Sequence, residues 1–160
     1  MLVLGVDPGS ITTGYGIVRK RNNLFTCITS GAIESPGNIP FYDRIFRIFE
    51  KMVELMELYK PDEMAIEDVF FAKNVKSSLK LGHARGAALI AAVKCNVKIY
   101  EYTPLEIKQS VVGYGRATKE QVSSMVRMIL NLPSIKRADT TDALAAAICH
   151  LNWTRYEKKI

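Results

Sequence analysis

Long apolar runs are missing from this 160-residue chain, and so are the signatures of several common chemistries. No stretch approaches the roughly 20 apolar residues of a bilayer-spanning helix. The opening MLVLGVDPGS is too short for a secretory leader, lacks a basic start and contains an acid, so a cytoplasmic protein is expected. Cysteine is scarce and odd in number. Cys27, Cys95 and Cys149 lie far apart, with no CxxC or Cys/His cluster to hold zinc or run redox chemistry. Each has apolar neighbours and is expected to be a buried, reduced thiol. There is no GxxxxGK(S/T) loop, which argues against P-loop nucleotide hydrolysis, and nothing resembles GxSxG. Gly14-Tyr15-Gly16 and Gly113-Tyr114-Gly115 are bare GxG pairs without a third glycine. No repeat, low-complexity stretch or linker divides the chain.

What is present fits one domain with a full core: 48% of residues are apolar and 24% charged. Lys and Arg number 22 against 16 Asp and Glu, a formal charge of +6. Such a surface attracts polyanions, although charge alone does not separate DNA from RNA or anionic lipid.

The pattern along the chain is that of an α/β layer fold. Leu2 to Val6 reads as a buried strand, followed by Asp7-Pro8-Gly9-Ser10 with its turn chemistry. Strands at Gly14 to Arg19 and Leu24 to Ile33, with Asn22-Asn23 between them, make an antiparallel meander. From Pro40 to Tyr59 the apolar spacing changes to three and four, an amphipathic helix that Lys60-Pro61-Asp62 ends. Glu63 to Glu67 is expected to be a central strand parallel to the first. A helix over Ser77 to Lys94 carries small residues (Gly82, Ala84, Gly86, Ala87, Ala88) that allow close approach to a sheet or to a second helix. Val97 to Tyr102 reads as a strand, and Thr103-Pro104 starts a short helix. Thr118 caps a helix from Lys119 to about Leu130, with Gln121 as its capping-box partner. The last helix spans Ala138 to about Trp153. The sum is a mixed sheet with helices on its faces.

Four carboxylates stand where strands stop or a helix begins. Asp7 closes the first apolar run, Glu67 closes another, and Asp139 and Asp142 open the alanine-rich last helix. Taken singly, Asp7 could orient its turn, Glu67 could be a surface acid, and the helix pair could be favoured by the helix dipole. Together they have a consistent meeting point. If the first and fourth strands are neighbours, Asp7 and Glu67 end on one edge. Asp139 and Asp142 lie about 4.5 Å apart along a helix and roughly 60° apart around it, so both can face that edge. Hydrolysis of a phosphodiester needs a more acidic water and a stabilised alkoxide, which two metal ions about 4 Å apart provide when carboxylates hold them. Magnesium favours such hard oxygen ligands. His150 lies about 16 Å along the helix from Asp139 and cannot reach the same metal. His83 reads as a structural or contact-surface residue.

The runs LGVDPGSITTGYGIV, AIEDVFFAKNVKSSLKLGHARG, IKQSVVGYGRATKEQV and ADTTDALAAAICH resemble, in that order and over nearly the whole chain, the RuvC family of bacterial Holliday-junction resolvases. The resemblance implies a single ribonuclease H-like nuclease domain over residues 1–160, with a five-stranded mixed sheet and helices on both faces. It implies that Asp7, Glu67, Asp139 and Asp142 are the catalytic and metal-binding acids. They would hold two Mg²⁺ ions, with Mn²⁺ as a substitute, and leave 5′-phosphate and 3′-hydroxyl ends. It also implies a homodimer placing two sites on opposite strands of a four-way junction, and cooperation with the RuvA and RuvB branch-migration proteins. The helix from Ser77 to Lys94 would form part of the dimer interface, unless its small residues simply pack on the sheet. For nucleic-acid contacts, Phe70 and Phe71 could stack on unpaired bases, although one of two adjacent aromatics is usually buried. Lys73 follows them on the same loop. Lys108 and Lys119 match basic positions of the family motif, and Arg85 could clamp a phosphate. Asp68 is an added acid beside Glu67, and the tail after Trp153 is short and modestly basic. Two other readings remain: an RNA-processing nuclease of the YqgF type and a non-catalytic junction-binding protein.

Overall fold

The computed structural model describes residues 1–68, 74–135 and 137–157. Phe70, Phe71 and Lys73 lie outside the described residues. The elements run β1 (Leu2–Asp7), β2 (Thr12–Arg21), β3 (Leu24–Glu34), α1 (Phe41–Tyr59), β4 (Glu63–Glu67), α2 (Val75–Lys94), β5 (Lys98–Tyr102), α3 (Pro104–Val112), α4 (Lys119–Leu130) and α5 (Ala138–Glu157). One five-stranded sheet has the order β3-β2-β1-β4-β5. The β1–β2 and β2–β3 pairs are antiparallel, and β1–β4 and β4–β5 are parallel, so the sheet is mixed. Asn22 and Asn23 both take positive φ, at 50° and 64°, as a two-residue hairpin turn requires. Among the described residues no helix is long and apolar enough to cross a membrane.

Side chains alternate across the strands and divide the interior in two. Leu4 and Val6 of β1, with Met64 and Ile66 of β4, face one side, where Ile48, Met52 and Met56 of α1 and the alanines of α2 cover them. Val3 and Ala65 face the other, packed by Ile107 and Val111 of α3, by Val122 and Val126 of α4, and by α5. From Ala143 to Leu151 every residue of α5 is buried, so this helix is apolar all round because it is sandwiched between the sheet and α3 and α4.

The expected elements are all present, with shifted ends. β2 and β3 extend to Thr12 and Glu34 because their ladder continues through residues that carry no apolar alternation. α2 starts two residues early, at Val75, since the Asn74 side chain accepts a bond from Ser77 N–H and caps it. Of the three thiols only Cys149 is buried; Cys27 and Cys95 are half-buried, and all three are unpaired. Burial pushes the Cys149 thiol up to about 12. Within α2, Ala84, Ala87 and Ala88 pack into the core, whereas a methyl at Gly82 or Gly86 would meet open space. The exposed His83 receives its role from neighbours: Nδ1 bonds the Leu79 carbonyl at 2.6 Å, and the ring meets Phe41 edge-on.

Candidate active site

Strand alternation decides where the strand acids point. Val3 and Ala65 face α5, so Asp7, four residues beyond Val3, and Glu67, two beyond Ala65, face it too. The parallel register Val6↔Ile66 puts both acids at the same edge of neighbouring strands. α5 begins above this edge because three glycines let its backbone settle directly on the sheet. A methyl at Gly5 would run into the Ala143 carbonyl, one at Gly14 into the Asp139 carbonyl, and one at Gly16 into the Leu144 side chain. The Gly14-Tyr15-Gly16 pair thus supplies two of the three glycines on which the acidic helix rests. The Thr140 hydroxyl adds a bond to the Gly31 carbonyl of β3 at 3.1 Å.

The four carboxylates feel one another. Burial raises Asp7 from 3.8 to about 7, reinforced by the negative charges of Asp142, Glu67 and Asp139 and opposed by Lys119. Glu67 is raised by burial and then by Asp142, with Lys119 and Lys108 acting the other way. Lys119 in turn is held protonated above its ordinary range, chiefly by Asp142, whose carboxylate accepts its hydrogen bond at 3.4 Å. A cavity of about 170 Å³ joins Glu67 and Asp142 to Lys108 and Lys119, with Pro104, Ile107, Val122 and Ala145 as its walls. Among the described residues no three of the His, Cys, Asp or Glu side chains close around one point as a finished metal cage. The four acids instead face each other across a shared edge, as expected of like charges that repel.

The structure thus brings together Asp7, Glu67, Asp139, Asp142, Lys108 and Lys119. It does not bring Arg85 to them. That guanidinium, on α2 at the opposite face, pairs with Glu101 at 2.5 Å and with Asp68 at 3.7 Å. Sequence reasoning missed Arg137, whose Nε stands 3.9 Å from Asp139 and which also pairs with Glu34 of β3. The available signal was a basic residue two positions before the first helix acid; its partner on β3, 103 positions away, carried none.

Comparison with known proteins places this geometry. The family model for crossover junction endodeoxyribonuclease RuvC matches residues 3–150. The crossover junction endodeoxyribonuclease RuvC of Geobacter metallireducens is 52% identical over 152 residues, covering 95% of this chain and 93% of that protein. Its counterpart in Ruminiclostridium cellulolyticum is 48% identical over 153 residues, covering 95% and 92%. Thermus thermophilus RuvC, solved in complex with Holliday junction substrate, superposes with a TM-score of 0.93 at 33% identity, over 98% of this chain and 96% of that one. The sheet and its helices are the ribonuclease H-like architecture of that protein. The chain belongs to the RuvC family of crossover junction endodeoxyribonucleases.

Proposed function

We propose that this crossover junction endodeoxyribonuclease resolves four-way DNA junctions by paired symmetric nicks, hydrolysing the phosphodiester at Asp7, Glu67, Asp139 and Asp142. The observation that carries this reading is the crowding of four acids at one sheet edge, where Asp7 and Glu67 hold their protons more tightly than usual. Burial and neighbouring negative charge lift Asp7 to about 7 and raise Glu67 as well. Hard oxygen donors crowded in this way fit a divalent cation, whose charge relieves both the burial and the repulsion. Mg²⁺ is the ion we assign, two to a site, with Mn²⁺ as its substitute. When bound, such a pair supplies the Lewis-acid charge that acidifies the attacking water and stabilises the departing alkoxide.

The chain itself supplies position and positive charge. Two strand ends and one helix start hold the four acids on rigid elements, so little reorganisation is left for the moment of reaction. Lys108 and Lys119 flank the same cavity and offer charge to the scissile phosphate oxygens as they become more negative. The products are a 5′-phosphate and a 3′-hydroxyl. Phe70, Phe71 and Lys73, which follow Glu67 in the chain, are assigned to the junction DNA, the aromatics stacking on bases near the crossover. The chain works as a homodimer in the cytoplasm, with the RuvA and RuvB branch-migration proteins as partners. In support of the dimer, an apolar groove of about 660 Å³ lies between α1 and α2, lined by Phe46, Phe49, Leu79, Gly82, Gly86 and Ile90 among others.

The test is cleavage of a synthetic four-way junction with Mg²⁺, both strand ends mapped, beside a linear duplex and an RNA–DNA hybrid. Symmetric nicks in the junction alone are expected, and Asp142→Asn should abolish them while leaving junction binding intact. Cutting of the RNA-containing substrate would overturn the substrate in favour of a YqgF-type activity. Tight junction binding without cleavage, across metals and sequences, would make the protein a non-catalytic junction binder.

A further inference from the structure

Along the same face of the sheet, one strand length below the acids, lies a second polar cluster that the reaction does not touch. Glu63 opens β4, Tyr100 and Tyr102 belong to the neighbouring β5, and His150 sits near the far end of α5. His150 is 1% exposed. Its Nε2 lies 2.5 Å from Glu63 Oε2 and its Nδ1 lies 2.6 Å from the Tyr102 hydroxyl. The Tyr100 hydroxyl stands 3.4 Å from the other Glu63 oxygen, and the Tyr100 ring lies 4.4 Å from the imidazole, centre to centre. A carboxylate only accepts, so Nε2 carries a hydrogen toward Glu63, and the Tyr102 hydroxyl can pair with Nδ1 either way, because a hydroxyl both donates and accepts. His150 and Tyr100 donate to Glu63, and the Tyr102 hydroxyl pairs with His150 Nδ1, so each of these side chains has a partner.

The spacing gives this cluster a purpose. Glu63 and Glu67 share a strand face and are about 13 Å apart at 3.3 Å per residue. Asp142 and His150 share a helix and are about 12 Å apart at 1.5 Å per residue. β4 and α5 therefore run alongside each other, with Glu67 and Asp142 lining one cavity at one end and Glu63 bonded to His150 at the other. Tyr102 adds a third element, since it is the register partner of Glu67 on β5. Other bonds at this end of α5 lead elsewhere: Lys20 Nζ donates to the Leu151 carbonyl at 2.5 Å, and Asn152 donates to the Ser110 carbonyl at 3.3 Å.

We infer that Glu63, His150 and Tyr102 form a brace that fixes the register of α5 on β4, and so the position of Asp142 against Glu67. They are positioning residues for the divalent-cation site. The inference rests on the acidic-site reading above. A slip of α5 by one residue moves Asp142 by about 1.5 Å, well outside the roughly 0.5 Å that such sites tolerate.

The experiment uses the full chain without DNA and titrates it with Mn²⁺, following the free-ion electron paramagnetic resonance signal, alongside thermal melting. His150→Ala is expected to weaken Mn²⁺ binding about tenfold, in line with other supporting residues around metal sites, and His150→Gln to recover part of it. Tyr102→Phe, which removes a single hydroxyl, keeps the test open if His150→Ala fails to fold, and should weaken binding several-fold. In junction cleavage the same variants should need more metal for half-maximal rate, and saturating metal should restore the rate. A lowered melting temperature with an unmoved Mn²⁺ midpoint overturns the brace, because it leaves only a structural role. An unaltered protein that binds no Mn²⁺ overturns the acidic-site reading and the brace together.

Discussion

At Asp7, burial and three neighbouring carboxylates raise the pKa from 3.8 to about 7, so the folded chain binds this proton more tightly than the unfolded chain does. The stability linked to this group is complete below about pH 4 and declines as the pH climbs through about 7. Metal-free protein should therefore melt at a lower temperature at pH 8 than at pH 5 as far as this residue is concerned. Asp7→Asn should flatten that dependence and raise the melting temperature at pH 8 by roughly 3 °C, the equivalent of about 1 kcal/mol in a chain of this size. The same variant should abolish junction cleavage. A variant that melts no higher at pH 8 would show that Asp7 is not strained by its neighbours. Cation binding competes for the same oxygens, so its affinity should fall as the pH is lowered below about 7, with Asp7→Asn removing part of that slope.

At the scale of elements, α5 decides the site, and three glycines decide where α5 lies. Gly5→Ala would drive a methyl into the Ala143 carbonyl, which only a shift of the helix can relieve. Overpacking of this kind costs about 1–3 kcal/mol, and the loss of cleavage should exceed what that stability loss explains. Circular dichroism melts paired with single-turnover cleavage would show it; full activity at saturating metal would mean that α5 can move without harm. Such long-range contacts are what the sequence could not show. Local chemistry was legible: Thr118 and Gln121 form the capping box read from their spacing, and Glu63–Glu67 is the strand expected. The meeting place of the four carboxylates was legible too: Asp7 and Glu67 end their strands, and Asp139 and Asp142 fall within the first five residues of α5. The second capping box, between Thr103 and Glu106, escaped notice although it is equally local. The partner of His150, Glu63, lies 87 positions away, and no periodicity announces such a pair. Arg44 was illegible for another reason: it occupies the core-facing stripe of α1 at 8% exposure, where an apolar residue is the ordinary choice, and its guanidinium lies over the Phe41 ring.

Across the whole molecule, the two faces of the sheet have different tasks. α3, α4 and α5 bury one face and build the acidic edge, while α1 and α2 cover the other and leave apolar side chains outside. Phe46 is 58% exposed, Leu79 60% and Ile90 63%. Their groove lies on the α1 and α2 side, away from the acidic edge, and is the face proposed for the dimer. Ile90→Asp should convert the proposed dimer to monomer in sedimentation equilibrium and replace paired nicks by single ones. A variant that stays dimeric would move the interface elsewhere on the surface.

The order in which the chain supplies its parts has one more effect. All five strands, with Asp7 and Glu67, precede α3, whereas Asp139 and Asp142 arrive with the final helix. A chain emerging from the ribosome with its N-terminus first can build the sheet early, but one face stays bare and half the acids are absent until α5 has been made and docked. The contacts that dock it, such as those of Ala143 over Gly5, join the two extremes of the sequence and are the slowest kind to form. On the proposed reading of the four acids, translation itself withholds the site: an interrupted or prematurely released chain carries the sheet and only half of the acidic set.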